Sequence, residues 1–228
     1  MFFDEYYLIL VVPTLILSLA AQLMVKSTFA KYSKISCSRS ITGVDAASIL
    51  MSANNITNVR VEAVGGSLTD HYDPSKKALR LSEPVYGSTS IAAVGVAAHE
   101  AGHAIQHAVS YGPLGLRSVL VPVANIGSRF GPWLVIAGLI LSQFSFLINV
   151  GIILFSAAVL FYVVTLPVEF NASNRAIAIL RENNILTEEE LKGVKKVLNA
   201  AALTYVASAL TAIATLLRFI LMSRRRRR

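Results

Sequence analysis

The sequence predicts a mainly α fold, an integral-membrane bundle of three to four spanning helices with a small α+β domain outside the bilayer. Three observations predict it. Hydrophobic residues make up 54% of the 228-residue chain and charged residues only 15%, where an ordinary globular domain has about 25% charged. The apolar residues are clustered, and the 39 residues 130–168 contain no Asp, Glu, Lys or Arg. Between this stretch and an earlier apolar run lies a more polar segment with turn-rich and alternating patterns, long enough for one modest domain. The composition excludes a disordered chain and an ordinary soluble enzyme.

The first element is Leu8 to Val25, 18 residues without a charge. As a helix it reaches roughly 27 Å, enough to cross a hydrocarbon core. Its leading flank carries Asp4 and Glu5 and no basic residue, unlike a secretory signal, so residues 1–25 are expected to remain as a spanning helix.

Residues 26–128 are expected to form the α+β domain. Thr42-Gly43-Val44-Asp45 has the form of a capping box, with Val44, Ala47, Leu50 and Met51 recurring on one helical face and a stop near Asn54-Asn55. Val59 to Val64 and Ala78 to Ser82 alternate as strands, with turns at Gly65-Gly66 and Asp73-Pro74-Ser75. Ser88, Thr89 and Ser90 offer caps for a helix over Ile91 to Ala108.

The uncharged stretch is too long for one crossing, about 58 Å as a single helix. Residues 129–168 therefore read as a hairpin, Pro132 to Leu147 and Ile148 to Leu166, turning near Ser145 and Asn149. Residues 169–199 are expected to be helical, with a capping box at Thr187 to Glu190. Residues 200–228 hold a last apolar run, Ala200 to Leu217, rich in the small residues that let membrane helices approach, and the tail Arg224 to Arg228.

Lys26, Lys31, Lys34 and Arg39 follow the first helix, whereas residues 1–7 and the hairpin tip hold no basic residue. The positive-inside rule then puts the N-terminus outside and the α+β domain in the cytosol of a multi-pass cell-membrane protein. The tail fits in one of two ways. Either the last run crosses and the arginines lie outside, or it packs without crossing and the tail meets anionic lipid. The net charge of +8 comes partly from that tail, which has no interleaved aromatics and no recognition module, so nucleic acid is not an expected partner. The single cysteine, Cys37, excludes an intramolecular disulfide and any Cys-rich metal site.

Chemistry enters at His99-Glu100-Ala101-Gly102-His103. On a helix this H-E-x-x-H spacing sets two imidazoles four residues apart on one face, able to share a zinc ion, with Glu100 beside the open coordination position as general base. The plainer alternative is two core-facing histidines with a solvated acid, which would leave buried polar groups in need of a partner. A catalytic zinc takes a third protein ligand. His107 lies two turns beyond His99, about 12 Å along the axis, and cannot share its ion. No acid occurs from Ala101 through Val168, so Glu169, just after Pro167, is the candidate. Its alternative is an ordinary glutamate at a helix start.

Leu68 to His107, Leu166 to Ser173 (L-P-V-E-F-N-A-S) and Val197 to Ala207 (V-L-N-A-A-A-L-T-Y-V-A) resemble the YugP-type neutral zinc metallopeptidases of bacterial membranes, in order and over nearly the whole chain. The resemblance implies a zincin-like metallopeptidase domain and one Zn²⁺ per chain. It implies His99, His103 and Glu169 as ligands and Glu100 as base. The plan also resembles HtpX-type membrane proteases. In these patterns an Asp is expected where this chain has Asn171, or four residues after the ligand Glu, where it has Ser173. A carboxylate that orients a ligand histidine is therefore replaced.

The expected activity is a membrane-bound zinc endopeptidase acting on protein or peptide substrates, including membrane proteins, at the cytosolic bilayer surface. His71, Tyr72 and His107 are candidates to stabilise the charge that develops on the scissile carbonyl. For His71 and Tyr72 the alternative is a Pro-containing turn, and for His107 a polar helix end. Ala78 to Ser82 is a candidate edge for an extended substrate. Two other classes remain, a non-catalytic zinc-binding membrane scaffold and a site-2-type intramembrane protease. The latter needs a late Asp, and the chain has none after Asp73.

Overall fold

The capping signals and apolar runs become helices at the expected places in the computed structural model, which describes residues 4–226. In order, a π-helical turn Tyr7–Val11 leads into α1 (Val12–Tyr32), followed by α2 (Gly43–Ala53), β1 (Arg60–Val64), β2 (His71–Asp73), β3 (Ala78–Ser82) and α3 (Glu83–Tyr86). Then come α4 (Ile91–Ala108), α5 (Gly112–Ile140), α6 (Phe146–Glu182) and α7 (Glu188–Arg226). Among the described residues four helices are long and apolar enough to cross a membrane: Tyr7–Tyr32, Gly112–Ile140, Phe146–Glu182 and Glu188–Arg225.

Both helices of the expected hairpin outrun the uncharged stretch. α5 starts at Gly112, well before Pro132, and the chain turns at 141–145, so Asn149 lies inside α6. α6 also continues through Pro167. Proline removes a backbone bond and ordinarily breaks a helix, but here the apolar stripe persists beyond it. Val168, Ala172, Ala176 and Leu180 are all fully buried at helical spacing, and their packing overrides the local cost. Glu169 therefore sits in mid-helix and not at a helix start.

The chain forms two compact units. The first takes the chain up to Ala21, Gly115–Pro167 and everything from Leu203 onward; the second takes Gln22–Leu114 and Val168–Ala202. In the first unit α5 and α6 approach backbone to backbone, since a Cβ on Gly151 would lie 2.6 Å from the carbonyl oxygen of Gly131. Val135, Ile148, Phe155, Ala158 and Phe219 fill the core there. α7 runs antiparallel to α1. Ser18 and Thr211 hydroxyls are 3.4 Å apart, and Arg218 donates to both carboxylate oxygens of Asp4, with Nη2 to Oδ2 at 3.1 Å. The guanidinium also lies 5.0 Å from the Tyr7 ring centre, and Arg225 pairs with Glu5 at 3.0 Å. The start of the first helix and the arginine-bearing end of the last share one end of this unit; Arg227 and Arg228 lie outside the described residues. Ile9, Val119, Trp133 and Ile153 point outward, each at least 66% exposed.

The second unit is built on α4, whose residues from Ile91 to Gln106 are nearly all buried. Ser90 caps it by accepting the Ala93 N–H at 3.2 Å. α2 packs on it, entered through a reciprocal Thr42–Asp45 box, and the Thr187–Glu190 box opens α7. The sheet order is β1-β3-β2, with β1 parallel and β2 antiparallel to β3. Leu79 and Leu81 face the core. On the other face Arg80 reaches Glu62 at 3.2 Å and Asp73 at 3.0 Å. Ala78 to Ser82, the expected edge, is thus the central strand with both sides paired. The alternation identified it as a strand but carries no information on its neighbours. The third strand, β2, is three residues long and falls below the length at which alternation can be read.

Candidate metal centre

His99 and His103 point the same way because they are one helical turn apart on α4, their ring centroids 4.8 Å apart and nearly perpendicular. The carboxylate comes from α6. Gly102 lets that helix close in, since a methyl there would lie 2.6 Å from the carbonyl oxygen of Ala172. Glu169, Ala172 and Ser173 share one face of α6 at helical spacing and are all buried. Glu169 Oε2 consequently stands 3.3 Å from His99 Nε2 and 3.6 Å from His103 Nε2.

The three ligand atoms lie within 4.8 Å of one another, a group able to hold a metal ion. Two nitrogens and one carboxylate oxygen are the donor set of a catalytic zinc site. Ligands about 2.0–2.2 Å from one tetrahedral ion stand about 3.3–3.5 Å apart, so the two His–Glu separations are close to those such an ion sets, and an ion would draw the two imidazole nitrogens nearer to each other. Glu100, directly after His99, is half-buried.

Burial alone would push the His103 pKa down, but the facing Glu169 carboxylate and the charge of Glu100 outweigh it, and the pKa is raised above the ordinary histidine value.

The far nitrogen of each imidazole is also engaged. His99 Nδ1 lies 3.0 Å from Ser173 Oγ, so a hydroxyl stands where a carboxylate was expected. His103 Nδ1 lies 3.0 Å from Gln106 Oε1. Gln106 was absent from the sequence expectation. It is fully buried, and its Nε2 donates to the Val168 carbonyl at 2.8 Å and to Asn171 Oδ1 at 3.0 Å. Asn171 Oδ1 also accepts from Arg175 Nε at 2.8 Å. The one available signal was its position three residues after His103, on the same helical face.

The remaining candidates separate into two groups. Tyr72 on β2 and His107 on α4 pair with each other, Oη to Nδ1 at 2.8 Å. Burial and the charge of Asp73 raise the Tyr72 pKa, so the phenol keeps its proton. His71 joins the turn network instead. Its Nδ1 lies 2.8 Å from the Thr69 carbonyl and its Nε2 3.3 Å from Arg80 Nη1. Asp73 closes that turn by accepting from Ser75 and Lys76, and the Ser75 hydroxyl, the Lys76 amide and Arg80 hold its carboxyl far below the usual range.

The family model described as "Putative neutral zinc metallopeptidase" matches residues 7–224. A Bacillus subtilis (strain 168) protein described as "Putative membrane protease YugP" is 50% identical over 216 residues, covering 95% of this chain and 96% of that protein. No solved structure matches.

Proposed function

This chain belongs to the family of neutral zinc metallopeptidases, and we propose that it is a membrane-bound, zinc-dependent endopeptidase. The observation that carries the reading is the convergence of His99 Nε2, His103 Nε2 and Glu169 Oε2 next to Glu100. His99, His103 and Glu169 would hold one zinc per chain. When bound, zinc supplies Lewis acidity that lowers the pKa of a water and polarises the scissile carbonyl.

The chain's own residues do the rest. Glu100 accepts the proton of the attacking water and delivers it to the amine that leaves as the peptide C–N bond breaks. Tyr72, protonated and paired with His107, donates a hydrogen bond to the carbonyl oxygen as charge develops there. The edge strand β2, which carries Tyr72, aligns an extended peptide through main-chain hydrogen bonds in a zincin-like domain. Such a site takes unfolded or loosely structured protein segments, membrane proteins among them.

The four apolar helices and the outward Ile9, Val119, Trp133 and Ile153 support a bundle that spans the cell membrane with lipid around it. The basic residues after the first helix support a cytosolic metal site and an outer N-terminus. The antiparallel α1 and α7 carry the arginine end to the outer side in that arrangement, where Asp4 and Glu5 neutralise Arg218 and Arg225.

Metal content of the detergent-purified chain, wild type beside Glu169→Ala, tests the reading together with casein cleavage. About one zinc per chain, its loss in the variant and chelator-sensitive cleavage are expected. Full zinc retention in Glu169→Ala, or cleavage indifferent to chelator, refutes it.

A further inference from the structure

We propose that Gln106 is a positioning residue of the metal site, holding His103 in the form protonated at Nδ1 and so reserving the Nε2 lone pair for the ion. The inference rests on the metal reading above. A glutamine amide can be placed either way round until its two ends are assigned from their neighbours. Here the neighbours decide. One end faces the Val168 carbonyl oxygen at 2.8 Å and Asn171 Oδ1 at 3.0 Å. A backbone carbonyl accepts and never donates, so that end is the NH₂ group. Asn171 agrees, because its Oδ1 is identified by Arg175 Nε, a pure donor, at 2.8 Å. The Gln106 oxygen therefore faces His103 Nδ1 at 3.0 Å.

An acceptor at Nδ1 requires an N–H there, and in a neutral imidazole the lone pair then sits on Nε2. That is the nitrogen facing Glu169. Gln106 is fully buried, so water does not replace it. Its anchor, the Val168 carbonyl, immediately precedes Glu169, and one amide thereby ties the orientation of the second histidine to the helix that carries the carboxylate. The arrangement also gives Asn171 a purpose. Two donors, from Gln106 and Arg175, converge on its oxygen, and an amide oxygen meets that demand as a carboxylate would.

The test is zinc affinity of the detergent-purified full chain by competition with a chromophoric chelator, wild type beside Gln106→Met, with melting of the metal-free forms recorded alongside. Methionine keeps the length and removes the acceptor. An affinity 10- to 100-fold weaker is expected, with metal-free melting little changed. Equal affinity, or a lowered melting temperature with affinity unchanged, overturns the proposal. If the variant does not fold, zinc-loaded wild type labelled with ¹⁵N-histidine decides. A slowly exchanging proton on Nδ1 of His103 is expected, and its absence overturns the assignment. A wild type that binds no zinc would instead remove the metal reading itself.

Discussion

Gly102 of α4 packs against the Ala172 backbone of α6 beside the candidate metal centre, with room for a hydrogen but not for a methyl on Gly102. Alanine is the better helix former by about 1 kcal/mol. Gly102→Ala should nevertheless destabilise the protein by about 1–3 kcal/mol, because backbone cannot move aside as a side chain can. It should also lower bound zinc by shifting Glu169. Thermal melting and metal content on the same preparation check both.

Glu100 stands beside the ligands without being one of the three converging groups. Glu100→Gln should keep about one zinc per chain and lose roughly 10²- to 10⁴-fold in casein turnover. Parallel metal and rate measurements separate the base from the ligands. A non-catalytic metal scaffold predicts no functional loss at all.

The pH dependence of metal binding has a definite sign. With its pKa raised, metal-free His103 stays protonated to higher pH than an ordinary histidine, and an ion must displace that proton. Zinc affinity should fall as pH is lowered through the histidine range, with protons released on binding. Titration calorimetry in buffers of different ionisation enthalpy counts them.

In the proposed mechanism Tyr72 bears on rate and not on metal. Tyr72→Phe removes the hydroxyl 2.8 Å from His107 Nδ1 and keeps the ring. It should lower kcat by about 10²-fold if that hydroxyl meets the developing charge, leaving zinc content as in wild type.

Short-range chemistry was the legible part. α4, its serine cap and the two reciprocal capping boxes follow from residues within four positions of one another. Glu169 was found by the scarcity of acids, and the structure brings it to the histidines. The roles that depend on distant backbone were not legible. Gln106 is explained by the Val168 carbonyl, 62 residues away, and no local pattern encodes that meeting. Pro167 misled in the same sense, because helix-breaking is a local property and the burial of Ala172, Ala176 and Leu180 is not. The central place of β3 likewise depends on strand order, which alternation leaves open.

The Asp4–Arg218 pair has a consequence for how the protein is made. Its partners are 214 residues apart in the chain, and at roughly 5–20 residues per second a ribosome delivers the arginine about 10–40 s after the aspartate. Throughout that interval the first helix must hold its place without the contact that finally secures it. Closure of the α1–α7 pair therefore cannot precede synthesis of the last helix, and a chain released before Arg218 would leave its opening helix unlatched.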